Sequence, residues 1–351
     1  MILTTGRRLS RIQAQTGVMR YLGIDTATKI SRIGLGTWQF GSREWGYGEP
    51  YAEQEAHAIV NRALELGVTL FDTAEIYGFG RSERILGRAL GEHRDSAFLA
   101  TKIFPLVPVA PVVEQRAVAS ASRLGVQRLD LYQVHQPNPV IGDGTTMRGM
   151  RALQRVGLVG EVGVSNYRLD RWRAAEDALG SRVLSNQVSY SLVARSPERD
   201  LLPFAESQGR VVIAFSPLAQ GLLSGRYHRG SRPVNRVRGA NPLFLPDNLE
   251  RAGDLIATLT EVAGAHSATP AQIALAWAIH RPAVTAIPGA SSVEQLESNV
   301  AAAEIDLTED EYQALSAASD RFHPVTGRTV LPRLLRARRR RDRVSRDPAR
   351  R

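Results

Sequence analysis

Short apolar segments alternate with longer amphipathic segments along most of this chain. Eight of the short segments have the length of buried strands and are rich in β-branched and aromatic residues. They are IGLGT at 33, TLFD at 69, AFLATK at 97, LDLYQVH at 129, GEVGVS at 160, VLSNQV at 183, RVVIAFS at 210 and VTAIPG at 284. Helical spacing of apolar residues between most of them predicts parallel strands joined by helices. Eight repeats favour a single α/β domain folded as a (β/α)8 TIM barrel over an open sheet.

Two segments fall outside this alternation. Residues 19–32, MRYLGIDTATKISR, alternate and turn, which predicts a small amino-terminal hairpin. The longest gap between strands runs from Pro217 to about Leu249 and is rich in glycine, proline and arginine. A structureless loop of this length is usually functional. No boundary divides the body, so we expect one domain over residues 19–330.

Three successive predicted strands end in a polar residue, namely Asp72, Lys102 and His135. The carboxyl ends of barrel strands meet at one face, where barrel active sites lie. Tyr77 follows the first of these strands by five residues. Asp72 taken alone can also be a structural residue that caps the helix after it, and the two interpretations remain open.

Together the four residues predict a specific chemistry. A free tyrosine titrates near 10, and a neighbouring lysine ammonium favours the phenolate and lowers that pKa. Asp72 would hold Lys102 in place, and His135 would donate a hydrogen bond to a substrate oxygen. Tyr77 could then protonate a carbonyl oxygen as hydride reaches the carbon. The chain has two lysines, Lys29 and Lys102, among 45 basic residues, which makes the position of Lys102 more informative.

Composition excludes several other kinds of site. The 351 residues contain no cysteine, and the seven histidines form no HExxH pair, so we expect no metal site. No apolar run reaches membrane-spanning length. The first 18 residues lack the apolar block of a signal peptide. These features predict a cytoplasmic protein.

The net charge of +10 is concentrated at the two ends of the chain. Residues 331–351 carry +8 and residues 1–18 carry +3, which leaves −1 for residues 19–330. A nearly neutral body is not expected to bind nucleic acid. We interpret residues 1–18 as a disordered extension. It is either a genuine arm of the protein or sequence read from a start codon upstream of the natural start at Met19. The arginine-rich tail is either a solvated, disordered segment or one that contacts an anionic membrane surface or nucleic acid.

The motifs, taken together, resemble those of the aldo-keto reductase superfamily over residues 19–325. The matching segments are GLGTW, FDTAEIYG, ATK, LYQVHQP, GEVGVSNY, NQVSYS, FSPLAQGLLSGRY and IPGASSVEQLESN, in family order. The pattern is most similar to bacterial members of the branch that includes the potassium-channel β-subunits. The resemblance implies a (β/α)8 barrel that binds NADP(H) without a Rossmann fold.

The resemblance also implies roles for individual residues. The family's catalytic tetrad corresponds to Asp72, Tyr77, Lys102 and His135. The implied cofactor contacts are Thr37, Trp38, Asp72, Ser165, Asn166, Gln187, Phe215, Ser216, Leu218, Gly221, Arg226, Arg236, Gly289, Ser291, Gln295 and Asn299. Gly289 and Ser298 depart from residues that are common elsewhere in the family. NADP is the expected cofactor, with Arg226 and Arg236 closing over it as basic residues do in the channel-subunit branch.

Substrate and function are less defined by the sequence. Trp38, Trp45, Tyr47, Phe104 and His135 would line an apolar substrate pocket, although Trp45 and Tyr47 could equally be packing or surface aromatics. Two functions remain open. One is NADPH-dependent reduction of an aldehyde or ketone to an alcohol, with the proton from Tyr77. The alternative is a cofactor-binding regulatory or interaction protein of the same fold with incidental oxidoreductase activity.

Overall fold

A computed structural model describes residues 19–42, 50–233 and 236–325. Within them eight strands form one parallel sheet in which each strand pairs with the next along the chain. The strands are β1 (Leu35–Gly36), β2 (Leu70–Asp72), β3 (Phe98–Ile103), β4 (Leu129–Val134), β5 (Val159–Ser165), β6 (Ser185–Ser189), β7 (Val211–Phe215) and β8 (Val284–Ala286). The sheet closes because Gly34 N–H donates to the Ala286 carbonyl at 2.8 Å, and Ala286 N–H donates to the Arg32 carbonyl at 3.0 Å. The predicted barrel is confirmed.

Helices follow the strands and cover the outside of the barrel. They are α1 (Pro50–Glu65), α2 (Arg81–Leu90), α3 (Ala110–Leu124), α4 (Asp143–Arg155), α5 (Leu169–Leu179), α6 (Leu201–Gln208), α7 (Arg236–Gly239), α8 (Pro246–Arg251), α9 (Gly253–Ala265), α10 (Pro270–Ala278), α11 (Val293–Ala301) and α12 (Glu309–Asp320). Local sequence sets several ends: Thr269 with Gln272, and Thr308 with Glu311, form capping boxes. None of the helices in the described ranges is both long and apolar enough to span a membrane.

Apolar side chains pack in two layers, one outside and one inside the ring of strands. The outer cluster joins the strands to the surrounding helices. The inner cluster joins residues of successive strands, such as Phe98 and Leu131, with Leu22 and Ile30 of the amino-terminal segment. That segment is the predicted hairpin, since Leu22 N–H donates to the Ile30 carbonyl at 2.8 Å. The hairpin therefore closes the amino-terminal end of the barrel and leaves the carboxyl end for a site.

The segment between β7 and α9 differs from the structureless loop that the sequence predicted. It contains short 3₁₀ helices at Ala219–Ser224 and Pro242–Phe244, in addition to α7 and α8. Helices of three to six residues contain too few apolar repeats for periodicity to indicate them. Buried Leu222 and Phe244 anchor the segment to the barrel, so it forms part of the wall of the carboxyl face.

Candidate active site

The carboxyl end of β3 carries a lysine that is fully removed from solvent. Lys102 has 0% exposure, and its ammonium donates to Asp72 Oδ1 at 2.6 Å and to the Thr73 carbonyl at 2.7 Å. The register explains this contact, because Asp72 on β2 aligns with Ala100, two residues before Lys102. Removing one member of such a buried pair costs about 3–5 kcal/mol, because the other charge is left unpaired.

The charge of Lys102 is maintained by its partners. Burial by itself would lower the pKa of Lys102, but the Asp72 carboxylate and Tyr77 together outweigh burial and raise that pKa above its usual value. The second carboxylate oxygen of Asp72 accepts from Gln187 Nε2 at 2.8 Å. Both oxygens of Asp72 are thus engaged, and the ammonium stays charged at neutral pH.

Tyr77 lies directly against this ion pair. The Lys102 ammonium is 5.3 Å from the centre of the Tyr77 ring. Burial raises the pKa of Tyr77, the Lys102 charge opposes that rise, and the net direction is upward. The predicted net fall of this pKa is therefore wrong, because the sequence shows the lysine but not the depth of burial. Tyr77 keeps its proton at neutral pH, as a proton donor must.

His135 completes the group from the end of β4. Its ring meets the Tyr77 ring edge-on, with 5.8 Å between the centres, and lies 6.1 Å from the Phe104 ring. Burial, followed by the nearby Lys102 charge, lowers the pKa of His135 to about 3. The imidazole is neutral at pH 7, so it can offer a neutral N–H but no full positive charge.

These residues adjoin a cavity of about 600 Å³ at the carboxyl ends of the strands, a size typical of small-molecule sites. Most of the predicted site residues line it: Thr37, Trp38, Asp72, Tyr77, His135, Ser165, Asn166, Gln187, Phe215, Ser216, Leu218, Gly221, Arg226, Gly289, Ser291, Gln295 and Asn299. In the described ranges, no three His, Asp or Glu side chains converge as possible metal ligands.

The remaining predicted residues take other positions. Lys102 is sealed from solvent by the residues around it and does not line the cavity. Phe104 lies against His135 and not on the cavity wall. Trp45 and Tyr47 lie outside the described residues, and Arg236 begins α7 with its side chain outside the described part of the chain.

Neutral hydrogen-bonding groups form the wall at the ends of β5 and β6. Ser165 Oγ donates to the Gln187 carbonyl at 2.8 Å. Asn166 Nδ2 donates to Ser165 Oγ at 3.1 Å and to the His135 carbonyl at 3.2 Å. Since the Asn166 and Gln187 amides both donate through nitrogen, each has its oxygen to offer a ligand. An amide oxygen is a suitable acceptor for the N–H groups of a carboxamide.

Left-handed backbone recurs at or next to the same side of the cavity, in four of the six non-glycine residues with positive φ in the described ranges. Asn166, Ser216, Ala219 and Gln220 have φ values of 61°, 51°, 48° and 57°. The left-handed conformation costs about 1–2 kcal/mol for a residue with a side chain. Such residues cluster at ligand sites, where the surrounding structure holds them in place. Their position after β5 and β7 indicates a wall shaped for a ligand.

The cavity wall also includes residues that the sequence analysis missed, among them Gln39, Gln220, Tyr227, Arg238 and Thr269. Arg238 had a signal, because it lies two positions after Arg236 in the arginine-rich segment. Gln39 had none: its amide nitrogen donates to the Ala290 carbonyl at 2.6 Å and joins two distant segments. Contacts of that kind depend on the closed barrel and leave no local pattern.

Known proteins share this architecture. The model of the Aldo/keto reductase family matches residues 32–320. An uncharacterized oxidoreductase of Mycobacterium tuberculosis (strain ATCC 25618 / H37Rv) is 57% identical over 311 residues, covering 88% of this chain and 96% of that protein. The structure of a glycerol dehydrogenase from Gluconobacter oxydans is 28% identical with a TM-score of 0.78, over 89% of this chain and 98% of that one. An aldo-keto reductase of Klebsiella pneumoniae, crystallised with NADPH, is 28% identical with a TM-score of 0.70, over 88% and 97%.

The matched range begins just before β1 and ends at the last residue of α12. It thus covers every strand end that contributes to the cavity. The resemblance seen in the motifs is confirmed at the level of the family, while the finer placement beside the potassium-channel β-subunits stays a prediction. The chain belongs to the aldo-keto reductase family.

Proposed function

We propose that this protein reduces an aldehyde or ketone to an alcohol with NADPH, and that Tyr77 donates the proton. The observation that carries the proposal is the buried Lys102–Asp72 pair in contact with Tyr77 at the cavity. Burying both charges carries a desolvation penalty, so stability alone is a weak reason for such a pair and a role in the reaction is a better one. Beside a protonated tyrosine, the pair supplies the electrostatic control that acid catalysis needs.

The residues on the cavity wall fit NADP(H). Asn166 and Gln187 have amide oxygens for the carboxamide, and the Phe215 ring offers an apolar face to the nicotinamide. Arg226 and Arg238 line the cavity and provide cations for phosphate oxygens. The related protein of Klebsiella pneumoniae was crystallised with NADPH. When bound, the cofactor supplies the hydride, and the protein supplies binding, orientation and the proton.

Tyr77 holds the proton because burial disfavours its phenolate. The phenolate left after proton transfer is stabilised by the Lys102 ammonium, which Asp72 keeps in position. Neutral His135, against the Tyr77 ring, can donate one N–H to the substrate oxygen and orient it toward the phenol. Trp38, 43% exposed on the cavity wall, adds an apolar surface for the rest of the substrate.

The test is Tyr77→Phe, which keeps the ring and removes the acid. We expect kcat to fall by about 10²–10⁴-fold, the range that acid catalysis contributes. The dissociation constant for NADPH, measured by fluorescence titration, should change little. A variant that keeps more than about a hundredth of the wild-type kcat would remove Tyr77 from the acid role.

A further inference from the structure

Glu75 is a buried carboxylate that the proposed chemistry does not use. It lies on the turn between Asp72 and Tyr77 and is 7% exposed. Its Oε1 accepts the Phe104 N–H at 2.5 Å, and its Oε2 accepts Arg116 Nε at 2.8 Å. The Arg116 guanidinium also lies 2.8 Å from Oε1 and so engages both oxygens. Both carboxylate oxygens of Glu75 are thus engaged by hydrogen bonds.

The contacts of Glu75 tie the turn before Tyr77 to the end of β3, which is bonded in turn to His135. The Glu75 N–H donates to the Lys102 carbonyl at 3.3 Å, so Glu75 is bonded to β3 on both sides of Ile103. The Ile103 carbonyl accepts the His135 N–H at 2.9 Å. In the other direction, the turn that begins at Ala74 places Tyr77 two residues after Glu75, with Tyr77 N–H donating to the Ala74 carbonyl at 3.0 Å.

We propose that Glu75, held by Arg116, is a positioning residue for this reaction. It fastens the turn that carries Tyr77 to the end of β3, and thereby sets the distance between the Tyr77 hydroxyl and the substrate position beside His135. The inference rests on the proposed function. A misplacement of about 1 Å at a reacting group costs on the order of 10²-fold in rate, so a clamp at this point acts on kcat.

Two other carboxylates at the opposite end of the barrel also accept one backbone N–H and one arginine. Asp130 accepts the Leu99 N–H at 2.8 Å and Arg94 Nη2 at 2.6 Å. Leu99 is near the amino-terminal end of β3. If carboxylates of this kind only stabilise the fold, Asp130→Asn should affect kcat and the melting temperature in the same way as Glu75→Gln.

Glu176 is the second control. It accepts the Val183 N–H at 3.2 Å and Arg210 Nε at 3.2 Å, just before β6. Both controls therefore combine one backbone N–H and one arginine on a carboxylate, away from the carboxyl ends of the strands. They share that combination with Glu75 but differ from it in position and are less buried, with side chains 13% and 24% exposed against 5% for Glu75.

The experiment compares Glu75→Gln, Asp130→Asn and Glu176→Gln in the full chain. Each keeps the side-chain shape and replaces a charged acceptor with an amide. With propanal and saturating NADPH, we expect Glu75→Gln to lower kcat by about tenfold to a hundredfold. The NADPH dissociation constant should stay within about twofold, and the KM for propanal should change less than kcat. The two controls should lower the melting temperature comparably but keep kcat within about twofold.

Arg116 provides a second line of test, because its side chain is 39% exposed and its replacement threatens folding less. Arg116→Lys keeps a cation but loses the two-point contact of the guanidinium, so it should lower kcat less than Arg116→Gln, whose loss should approach that of Glu75→Gln. If Glu75→Gln does not fold, the Arg116 pair decides. At comparable melting temperatures, a graded loss of kcat from Arg116→Lys to Arg116→Gln is a result that a purely structural role would not produce.

Two results would overturn the inference. One is a folded Glu75→Gln, or Arg116→Gln, with kcat within about twofold of wild type. The other is a loss of kcat in Asp130→Asn and Glu176→Gln as large as the loss in Glu75→Gln. If the wild-type protein reduces no carbonyl with NADPH, the proposed function fails and the positioning role fails with it. An active wild type with an equally active Glu75→Gln rejects the positioning role alone.

Discussion

The two walls of the cavity differ in chemistry. The wall at the ends of β2, β3 and β4 consists of ionisable groups, with the Lys102–Asp72 pair shut away beside Tyr77. The wall at the ends of β5 to β8 presents mostly amides, hydroxyls and left-handed backbone, together with the cations of Arg226 and Arg238; it is called the neutral wall for its majority. Moving a proton requires groups whose pKa is set by burial and neighbouring charge. Holding a large polar ligand requires many weak, directional contacts on a fixed shape.

This difference predicts that substitutions on the two walls will change different quantities. Changes among the ionisable groups should lower kcat, and changes on the neutral wall should raise the dissociation constant of the cofactor. Gln187 joins the walls, because its amide nitrogen donates to Asp72 while its oxygen can face a ligand. A substitution of Gln187 is therefore the one for which effects on kcat and on the dissociation constant of the cofactor should be hardest to separate.

The largest effect should come from Lys102→Arg, which keeps the charge. The slot is completely buried and fits a compact ammonium bonded to Asp72 and Thr73. A planar guanidinium is wider and cannot reproduce those contacts. We expect kcat to fall by about 10²-fold or more, measured with saturating NADPH and a small aldehyde across a range of pH.

The matched change on the other wall is Ser165→Ala, which removes a hydroxyl donor to the Gln187 carbonyl. A neutral hydrogen bond contributes about 0.5–1.5 kcal/mol, so the dissociation constant of the cofactor should rise by no more than about tenfold. A near-normal rate for Lys102→Arg, with an unchanged pH profile, would show that any cation suffices. The contrast between the walls would then have to be abandoned.

The sequence reveals the two walls unequally. Asp72, Lys102 and His135 are unusual residues at the ends of apolar strands, so chemistry alone indicated their wall before any resemblance was considered. On the neutral wall, Ser165 and Asn166 are common residue types, and they were identified through family motifs. The residue type of Ser216 does not predict its left-handed conformation, because serine normally avoids that conformation.

Two other features depend on the whole fold. The sequence places a lysine near Tyr77 but cannot give the burial that reverses the net shift of the Tyr77 pKa. The predicted strand at 33–37 is reduced to Leu35–Gly36, because its earlier residues bond singly to the β8 region to close the barrel. Closure is a long-range event, and local periodicity does not record it.

A smaller effect is expected for Arg226→Ala, which removes one of the two cations that the described residues place among the neutral groups of the second wall. Arg226 lines the cavity, and a charge-assisted bond to phosphate contributes about 1.5–3 kcal/mol. We expect the NADPH dissociation constant to rise about tenfold or more, with NADH binding and kcat at saturating cofactor little changed. Arg236→Ala should narrow the preference for NADPH over NADH in the same titration.

The control is Arg229→Ala, three residues further along the same segment. Arg229 pairs with Glu250 at 3.1 Å and does not line the cavity. Its removal should leave both cofactors bound as before. Equal affinity of the wild type for NADPH and NADH would refute the assignment of the basic residues to the cofactor phosphate.

The pH dependence of stability offers a finer test of the ionisable wall. The pKa of His135 is about 3 in the folded protein and near 6.5 when exposed. Between these two pH values His135 binds a proton in the unfolded chain but not in the folded chain. The contribution of His135 is therefore present above pH 6.5 and lost as pH falls toward 3.

Urea unfolding of wild type and His135→Gln at pH 7, 6 and 5 measures this contribution. The wild type should lose stability relative to the variant by about 1 kcal/mol per pH unit below pH 6. At saturating substrates, kcat of the wild type should stay flat from about pH 5.5 to 8, because neither Tyr77 nor His135 titrates there. Parallel stability curves for the two proteins would show that His135 protonates freely in the folded state.

The smallest effect is expected outside both walls. We predict that deleting residues 1–18 and 331–351 together leaves the melting temperature and kcat for small carbonyls almost unchanged. The barrel closes through bonds between Arg32, Gly34 and Ala286, and the family match covers residues 32–320. At the other end, Val325 N–H donates to Asn248 Oδ1 at 2.7 Å, so the described chain is secured before the deleted tail begins.

One part of the tail calls for a more specific measurement, to test the hypothesis that it borders the substrate pocket. Residues 330–335, VLPRLL, are the apolar part at the start of an otherwise arginine-rich tail. If they reach the pocket, the truncated protein should lose kcat/KM on bulky aromatic aldehydes while keeping it on propanal. A loss of folding, or a large loss of kcat on every substrate, would place the tails against the barrel. The domain boundaries at 18/19 and 330/331 would then be wrong, and the two walls would no longer account for all of the chemistry.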